Sequence, residues 1–556
     1  MRPKTRKRKA AEVSHSVPPS RAPRVVLFGL SWPVIVPLAL MLLAILLVIA
    51  ARVRLLGIPF ERDEGEYAYI GRLMLQGLAP YGVAANMKLP GTNAAYAVIM
   101  AVFGQTISGV HFGFLLVNAG CIVLVFFLGR RLFGVPAGVA AAAGFAVLSV
   151  GPAVNGVWAH ATQFVLLPAL WAILLLMKWV ERRKLPLLIG SGLLFGMAFL
   201  MKQPGILFAV FGALYLLYSQ REQLWSNRWR VLRDLAVFTG AVTLPFGVTC
   251  ALLWRAGAFD RFWLWVFTYA RQYVAIRPLS TAAGAFLDTV TPIAKANAGI
   301  WLLAAAGLLL VWLRKDRRAA AAFASGLLGC SFLAVCPGFY FRAHYFVLLL
   351  PAVALLSGAV ATWAKETVAG SWPLWIVVAS LALAIWQQGG FLFQMSYLEI
   401  CRSAYGNNPF PEAIPVAEYI RDHTGKDDRI VVIGSEPEIY FYSRRRSVTP
   451  YVYIYPLVEP QPLASRMQDE FIHDVETARP NYIVFVNVGT SWLMLPNSPT
   501  RMLQWATPYC LRHYDRVGVV DIFRDGAVYK WDAAALHYQP RSRECLVVFK
   551  RKENGM

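Results

Sequence analysis

Glu61-Arg62-Asp63-Glu64-Gly65-Glu66-Tyr67 follows directly on an apolar run from about Val25 to Ala50, and this juxtaposition decides how the chain is read. A run of that length crosses ~30 Å of hydrocarbon. Carboxylates beside a bilayer are costly unless solvated, paired or functional. An acidic knot at the end of a membrane segment therefore points to chemistry at one membrane face.

Outward from this point the pattern repeats. The 556 residues are 57% hydrophobic and only 15% charged, where a soluble protein carries about a quarter charged residues. Apolar runs of about twenty residues recur, so the chain reads as a polytopic α-helical membrane protein. The formal charge of +23 lies in short segments between those runs, the distribution that orients a protein in a membrane. No motif interleaving aromatic and basic residues accompanies it, so nucleic acid is not an expected partner. Membrane lipids are, and part of the positive charge suits anionic lipid.

The basic N-terminus, Arg2 to Lys9, places residues 1–24 in the cytoplasm as a basic tail. The apolar run after it is too long for a signal peptide, so it reads as an uncleaved first span. Alternating from there, about eleven spans occupy residues 25–395, with a first external loop over 51–108. The pieces Glu64 to Gln76 and Asn93 to Phe103 read as interfacial helices. Arg130-Arg131, Glu181 to Lys184, Arg228 to Arg233 and Arg314 to Arg318 all fall on the cytoplasmic side of this count. Lys88, Lys202 and Arg342 fall on the opposite side, in short connections, and are candidates for function. An external segment, Trp254 to Asn297, is rich in aromatic residues that suit either an acceptor or an interfacial belt.

Residues 396–556 change in composition and read as an extracytoplasmic α/β domain. Strands are expected over Arg429 to Gly434, Asn481 to Val488 and Cys545 to Lys550. Helices are expected over Ser465 to Arg479 and Ser498 to Tyr514. Gly434-Ser435-Glu436-Pro437 reads as a structural turn. Of the seven cysteines, Cys401, Cys510 and Cys545 fall in this region, where one disulfide is conceivable outside the cytoplasm. No zinc-type spacing occurs.

Asp63 and Glu64 are adjacent, so on a helix they point about 100° apart. They do not suit the two opposed carboxylates of a glycoside hydrolase; one base with a neighbouring positioning group fits better. A solvated helix N-terminus would also carry such acids, as an interfacial anchor would carry a snorkelling Lys88. Lys202, at the end of an apolar helix before Gln203-Pro204-Gly205, suits an anionic phosphate, and Arg342 and His344 offer the same.

The acidic pair after span one, Lys88-Leu89-Pro90-Gly91, Arg130-Arg131-Leu132-Phe133-Gly134 and His344-Tyr345-Phe346 occur in an order that resembles the GT-C superfamily of membrane glycosyltransferases, all but the arginine pair on one side. The likeness is to bacterial relatives of dolichyl-phosphate-mannose protein mannosyltransferases and of the lipid A aminoarabinose transferase. It covers about residues 25–395. It implies transfer of a hexosyl or pentosyl group from a polyprenyl-phosphate donor to a lipid, glycan or protein acceptor outside a plasma (inner) membrane. The expected step inverts the anomeric carbon, with Asp63 as general base beside Glu64, and Lys88, Lys202, Arg342 and His344 on the lipid phosphate. No cofactor is expected, and a divalent metal is not indicated. Trp158-Ala159-His160-Ala161-Thr162-Gln163 departs from the pattern, having no acid where many relatives carry one. A lipid-linked sugar transporter or flippase and a non-catalytic envelope assembly protein are the competing readings.

Overall fold

The computed structural model describes residues 26–27, 30–367 and 371–553; the basic tail expected over 1–24 lies outside them. A two-stranded hairpin, β1 (Val26–Leu27) and β2 (Leu30–Ser31), precedes the first membrane helix, α1 (Trp32–Arg54). Leu42, Leu43 and Leu46 of α1 are exposed, as leucines facing lipid must be. Two shorter helices follow, α2 (Arg62–Leu75) and α3 (Gly91–Phe103), where interfacial helices were expected.

The membrane bundle continues through α4 (Ile107–Phe133), α5 (Val135–Val150), α6 (Ala161–Arg182), α7 (Leu185–Met201), α8 (Ile206–Ser219), the short α9 (Gln223–Ser226) and α10 (Arg228–Arg255). Ala298–Leu313, Arg318–Val335, Leu350–Thr367 and Trp372–Gly389 complete it. Small residues let these helices approach closely without a hydrophobic drive between them. α5, with its run Ala140 to Gly144, is buried along almost its whole length. At its crossing with α4, a Cβ on Gly129 would lie 3.0 Å from the Gly138 Cα.

Each of the eleven expected apolar segments is helical. Among the described residues, seven helices are long and apolar enough to cross a membrane, or eight if the bent pair Leu279–Ala296 and Ala298–Leu313 is one span. α5, α7 and α8 are shorter than that length.

The C-terminal region holds a six-stranded sheet in the order β4-β3-β5-β8-β6-β7. Its strands are β3 (Arg429–Ile433), β4 (Arg446–Ser447), β5 (Tyr482–Asn487), β6 (Tyr514–Phe523), β7 (Gly526–Trp531) and β8 (Cys545–Arg551). β3 runs parallel to both neighbours, whereas β8 pairs antiparallel with β5 and β6. Helices Ala464–Ala478 and Arg501–His513 stand within a residue or three of their expected bounds. The β6–β7 hairpin was not expected. All seven cysteines are free, so the disulfide entertained among Cys401, Cys510 and Cys545 does not form. Cys401 packs in the membrane-side core, while Cys510 and Cys545 lie in a helix and a strand of the sheet region.

The sheet is docked on the bundle rather than tethered to it. α2 lies against the helix Glu438–Ser443 so closely that a Cβ on Gly65 would fall 2.6 Å from the Glu438 nitrogen. Arg62 is buried in this seam. Its guanidinium donates to Tyr455 Oη (2.8 Å), Asn408 Oδ1 (3.0 Å) and Glu436 Oε1 (2.8 Å), and it also donates to the Ser435 carbonyl. The turn read as structural, Gly434 to Pro437, thus supplies the carboxylate of a buried ion pair with α2.

Candidate active site

α2 begins with a capping box, in which the Glu61 and Glu64 side chains accept from each other's backbone N–H groups. This reciprocal closure satisfies two otherwise orphaned donors and fixes the first helical turn. Asp63, one residue before Glu64, consequently points away from the cap into a cavity of about 480 Å³. That cavity lies between the helix ends of the bundle and the loops following the carboxyl ends of β4 and β5. Such loops are where open α/β sheets place ligands. Its lining includes Glu66, Lys88, His160, Lys202, Arg342, His344 and, from the sheet region, Tyr453 and Tyr455.

The Lys88 loop is held in place from two sides. Tyr81 Oη donates to the Lys88 carbonyl (2.7 Å), and Gln203 Nε2 to the Met87 carbonyl (2.8 Å). Gly91 at the start of α3 packs on the end of α7: a Cβ there would lie 2.5 Å from the Leu200 carbonyl carbon. The Lys-Leu-Pro-Gly and Lys-Gln-Pro-Gly segments are therefore neighbours, and their lysines enter one cavity.

Within it, Lys88 Nζ bridges Asp63 Oδ1 at 2.9 Å and Glu66 Oε2 at 2.7 Å, with the Tyr67 ring 4.6 Å below. Tyr453 Oη stands 3.5 Å from the same Asp63 oxygen. Burial disfavours ionised Asp63, but Lys88 outweighs it, and the carboxyl is held far below the usual range. Burial likewise disfavours charged Lys88, and Asp63 and Glu66 more than restore it. Glu66 moves the other way: burial raises its pKa and Lys88 offsets only part of the rise.

Lys202 has no carboxylate partner among the described residues; its ammonium sits 4.1 Å from the centre of the Tyr345 ring. Burial, with the nearby charges of Lys88 and Arg342, lowers its pKa to about 7 against the pull of Asp63. Arg342 lies over Tyr340 at 5.6 Å. The His160 and His344 rings stack at 4.1 Å with planes 13° apart. Burial brings His160 down to about 3, so it is a neutral imidazole. His160 Nδ1 lies 3.4 Å from Glu61 Oε1, a proximity without hydrogen-bond geometry, since that nitrogen is unpaired.

All six expected site residues are present, but they divide. Asp63, Lys88, Lys202, Arg342 and His344 line the cavity. Glu64 does not. Its side chain is fully buried, with Oε1 3.0 Å from His111 Nε2 and also accepting from the Ala159 N–H. Its expected place in the chemistry is corrected to a positioning one: it ties the first turn of α2 to α4 and to the segment before α6. Lys88 is corrected in part, because it is committed to two carboxylates, leaving Lys202 and Arg342 as the lining cations without a carboxylate partner among the described residues. Sequence reading assigned no site role to Glu61, Glu66, His160, Tyr453 or Tyr455. Only His160 left a signal, standing in the stretch already marked as departing from the pattern.

Asp63, His160 and His344 each offer a ligand atom, all within 4.8 Å of one another. One carboxylate oxygen and two imidazole nitrogens form a donor set that could hold a divalent cation of the zinc type. Taken together, the cavity offers an ionised carboxylate, two cations without carboxylate partners among the described residues, and aromatic walls. That combination can bind an anion at one end and accept a proton at the other.

Residues 88–248 match the family model described as dolichyl-phosphate-mannose-protein mannosyltransferase. No curated protein matches the chain. Among solved structures, the chain is similar to ArnT from Cupriavidus metallidurans bound to undecaprenyl phosphate, with 15% identity and a TM-score of 0.57 over 93% of this chain and 98% of that one. It is also similar to the apo oligosaccharyltransferase of Archaeoglobus fulgidus, with 13% identity and a TM-score of 0.53 over 91% and 75%. The same organism's AglB, in complex with an inhibitory peptide and a dolichol-phosphate, gives 11% and 0.51 over 91% and 75%. At these identities the structures speak for a shared fold. The likeness read from the sequence is met by the family model across residues 88–248 and, as to fold, by structures that cover 91% and 93% of this chain.

Proposed function

We propose that this protein is a multi-pass membrane glycosyltransferase that moves a hexosyl or pentosyl group from a polyprenyl-phosphate donor to an acceptor hydroxyl, at the extracytoplasmic face of a plasma membrane. The observation that carries the reading is the cavity itself: an ionised Asp63 faces Lys202 and Arg342 across a space bounded by membrane-helix ends on one side and the sheet region on the other. The family match over residues 88–248 supports sugar transfer. Similar folds whose solved structures hold dolichol-phosphate and undecaprenyl phosphate support the donor class.

In the proposed step, Lys202 and Arg342 bind the donor phosphate and offset the charge it gains as the glycosidic bond breaks. Asp63 orients the acceptor hydroxyl and takes its proton as the oxygen attacks from the face opposite the phosphate, inverting the anomeric carbon. Asp63 is a weak base while Lys88 holds it. An anionic donor in the cavity draws on Lys88 as well, loosening that pair and strengthening the base at the moment it is needed. Glu66 keeps Lys88 anchored throughout. Phosphate leaves readily, so the step requires no general acid.

The test is direct. Detergent-purified protein supplied with a polyprenyl-phosphate sugar and an envelope glycolipid fraction should release polyprenyl phosphate in the absence of any gradient. Asp63→Asn should slow this by about 10²–10⁴-fold with unchanged thermal unfolding; near-normal turnover by that variant rejects Asp63 as the base. Transport of the intact donor without bond cleavage would favour the flippase reading instead.

A further inference from the structure

The face of the bundle away from the cavity carries a second set of polar groups without partners. α6 and α8 run from the cavity towards that face and α7 and α10 start from it, since His160 and Lys202 line the cavity at one end of α6 and α7. The α6–α7 turn (Arg183, Lys184), the end of α8 (Gln220), α9 and the first turns of α10 therefore meet on the far side.

Four observations converge there. First, Trp225 is 95% exposed and Trp229 72% exposed, large indoles left uncovered among the described residues. Second, α10 has 28 residues, so at ~1.5 Å per residue it spans ~42 Å, more than the ~30 Å of hydrocarbon. Its first turns, Arg228 to Arg233, project into the headgroup layer, which is where tryptophan settles. Third, charge accumulates: Arg183, Arg221, Arg228, Arg230 and Arg233 stand against Glu222 and Asp234. Fourth, among the described residues Arg183 Nη1, both side-chain polar atoms of Gln220, Gln223 Oε1 and Asp234 Oδ2 are buried without a hydrogen-bond partner. Gln220 is only 1% exposed. Basic residues serving orientation alone would lie solvated, as Arg182 does, with their polar atoms in water. The open donors call for a ligand that brings oxygens, and the open amide oxygens for one that also brings hydroxyls.

We propose that this junction binds the headgroup of an anionic phospholipid. The phosphate is held by Arg183 and Arg230, headgroup hydroxyls donate to Gln220 Oε1 and Gln223 Oε1, an ester oxygen accepts from Gln220 Nε2, and Trp225 and Trp229 lie among the upper acyl chains. The glutamines fit this ligand because each can donate and accept. The exposed tryptophans fit it because they are amphipathic and need one apolar side. The site is separate from the cavity and stands whether or not the sugar-transfer reading does.

The full-length protein, purified in a mild detergent, is exchanged into mixed micelles holding phosphatidylglycerol, phosphatidylethanolamine and phosphatidylcholine of matched chains, and retained lipid is counted by native mass spectrometry. Wild type should retain phosphatidylglycerol about thirtyfold over phosphatidylcholine, the scale expected from two arginines near an anionic headgroup. The pair Arg183→Gln with Arg230→Gln should bring the ratio close to one, and Arg130→Gln on the same face should leave it unchanged. Should the Arg183 variant unfold, Arg228→Gln with Arg230→Gln, both on exposed first turns, reads the same loss. Trp225→Ala with Trp229→Ala should lower retention of phosphatidylglycerol. Equal retention of the three lipids by wild type, or a preference that survives the arginine variants in folded protein, overturns the proposal. Inorganic phosphate stabilising the protein as well as lipid does, with no effect of the tryptophan variants, marks a soluble-anion site and overturns it too.

Discussion

Lys202 and Lys88 are the same residue type in one cavity, and their surroundings give them different work. Lys88 has two carboxylates and stays protonated against burial. Lys202 has an aromatic ring and two other cations nearby, and its pKa falls to about 7. An amine is charged below its pKa, so Lys202 is cationic at lower pH and becomes neutral as pH rises through about 7. If it binds the donor phosphate, KM for the donor should rise across that window while the acceptor KM stays flat. Lys202→Arg should remove the dependence, because a guanidinium keeps its charge throughout. A donor KM that ignores pH in wild type would show that Lys202 does not touch the phosphate. Asp63, Lys88 and Lys202 could be picked out of the sequence because isolated charge beside apolar runs is conspicuous. Glu66 and Tyr453 could not: nothing in a run of four acids says which one faces Lys88, and a tyrosine 390 positions from Asp63 has no local mark of its role.

Helix ends do the positioning, and two residues show how much rests on them. Gly91 lets α3 start against the end of α7, so Gly91→Ala should force a contact with the Leu200 carbonyl. A loss of about 1–3 kcal/mol is expected, read as a lower unfolding temperature and a weaker donor affinity, since the Lys88 and Lys202 loops would part. Arg62 makes four bonds to the sheet region from the first turn of α2. Arg62→Ala would strand Glu436 as a buried, unpaired carboxylate, a change that costs about 3–5 kcal/mol. Thermal unfolding should drop sharply, and a much smaller loss in Arg62→Ala than in Gly91→Ala would mean the seam is not closed in solution. Most elements were legible: apolar runs long enough for membranes, and strand-like and helix-like segments in alternation. The β6–β7 hairpin was not expected because its two turn residues are Arg524-Asp525, with Gly526 already paired to Phe523, and that pair is not among the dipeptides that mark tight hairpins.

At the scale of the molecule, the cavity exists only because bundle and sheet meet. Tyr453, Tyr455 and Thr490 close it from the sheet side, and Asp63, Lys88 and Lys202 from the bundle side. Both must therefore lie on one side of the membrane. Single cysteines placed at Gln203, Gly82 and Ser542, in a variant lacking the seven native ones, should all react with an impermeant thiol reagent from the same side of sealed vesicles. A split between Gln203 and Ser542 would separate the two halves of the cavity. Removing residues 396–556 should abolish transfer, since it takes away one wall and exposes the buried face of α2.

The amino-acid sequence alone determined the class of the fold, because hydrocarbon demands long apolar helices and that demand is written locally, residue after residue. It determined the candidate charges for the same reason, since ionised groups beside a membrane need justification wherever they occur. Only the tertiary structure decided how those charges are shared. Which acid pairs with Lys88, why Glu64 turns to His111 instead of the cavity, and why Lys202 is left unpaired are set by distances between segments far apart in the chain. Electrostatic pairing falls off over a few ångströms, and spacing along a sequence carries no record of it.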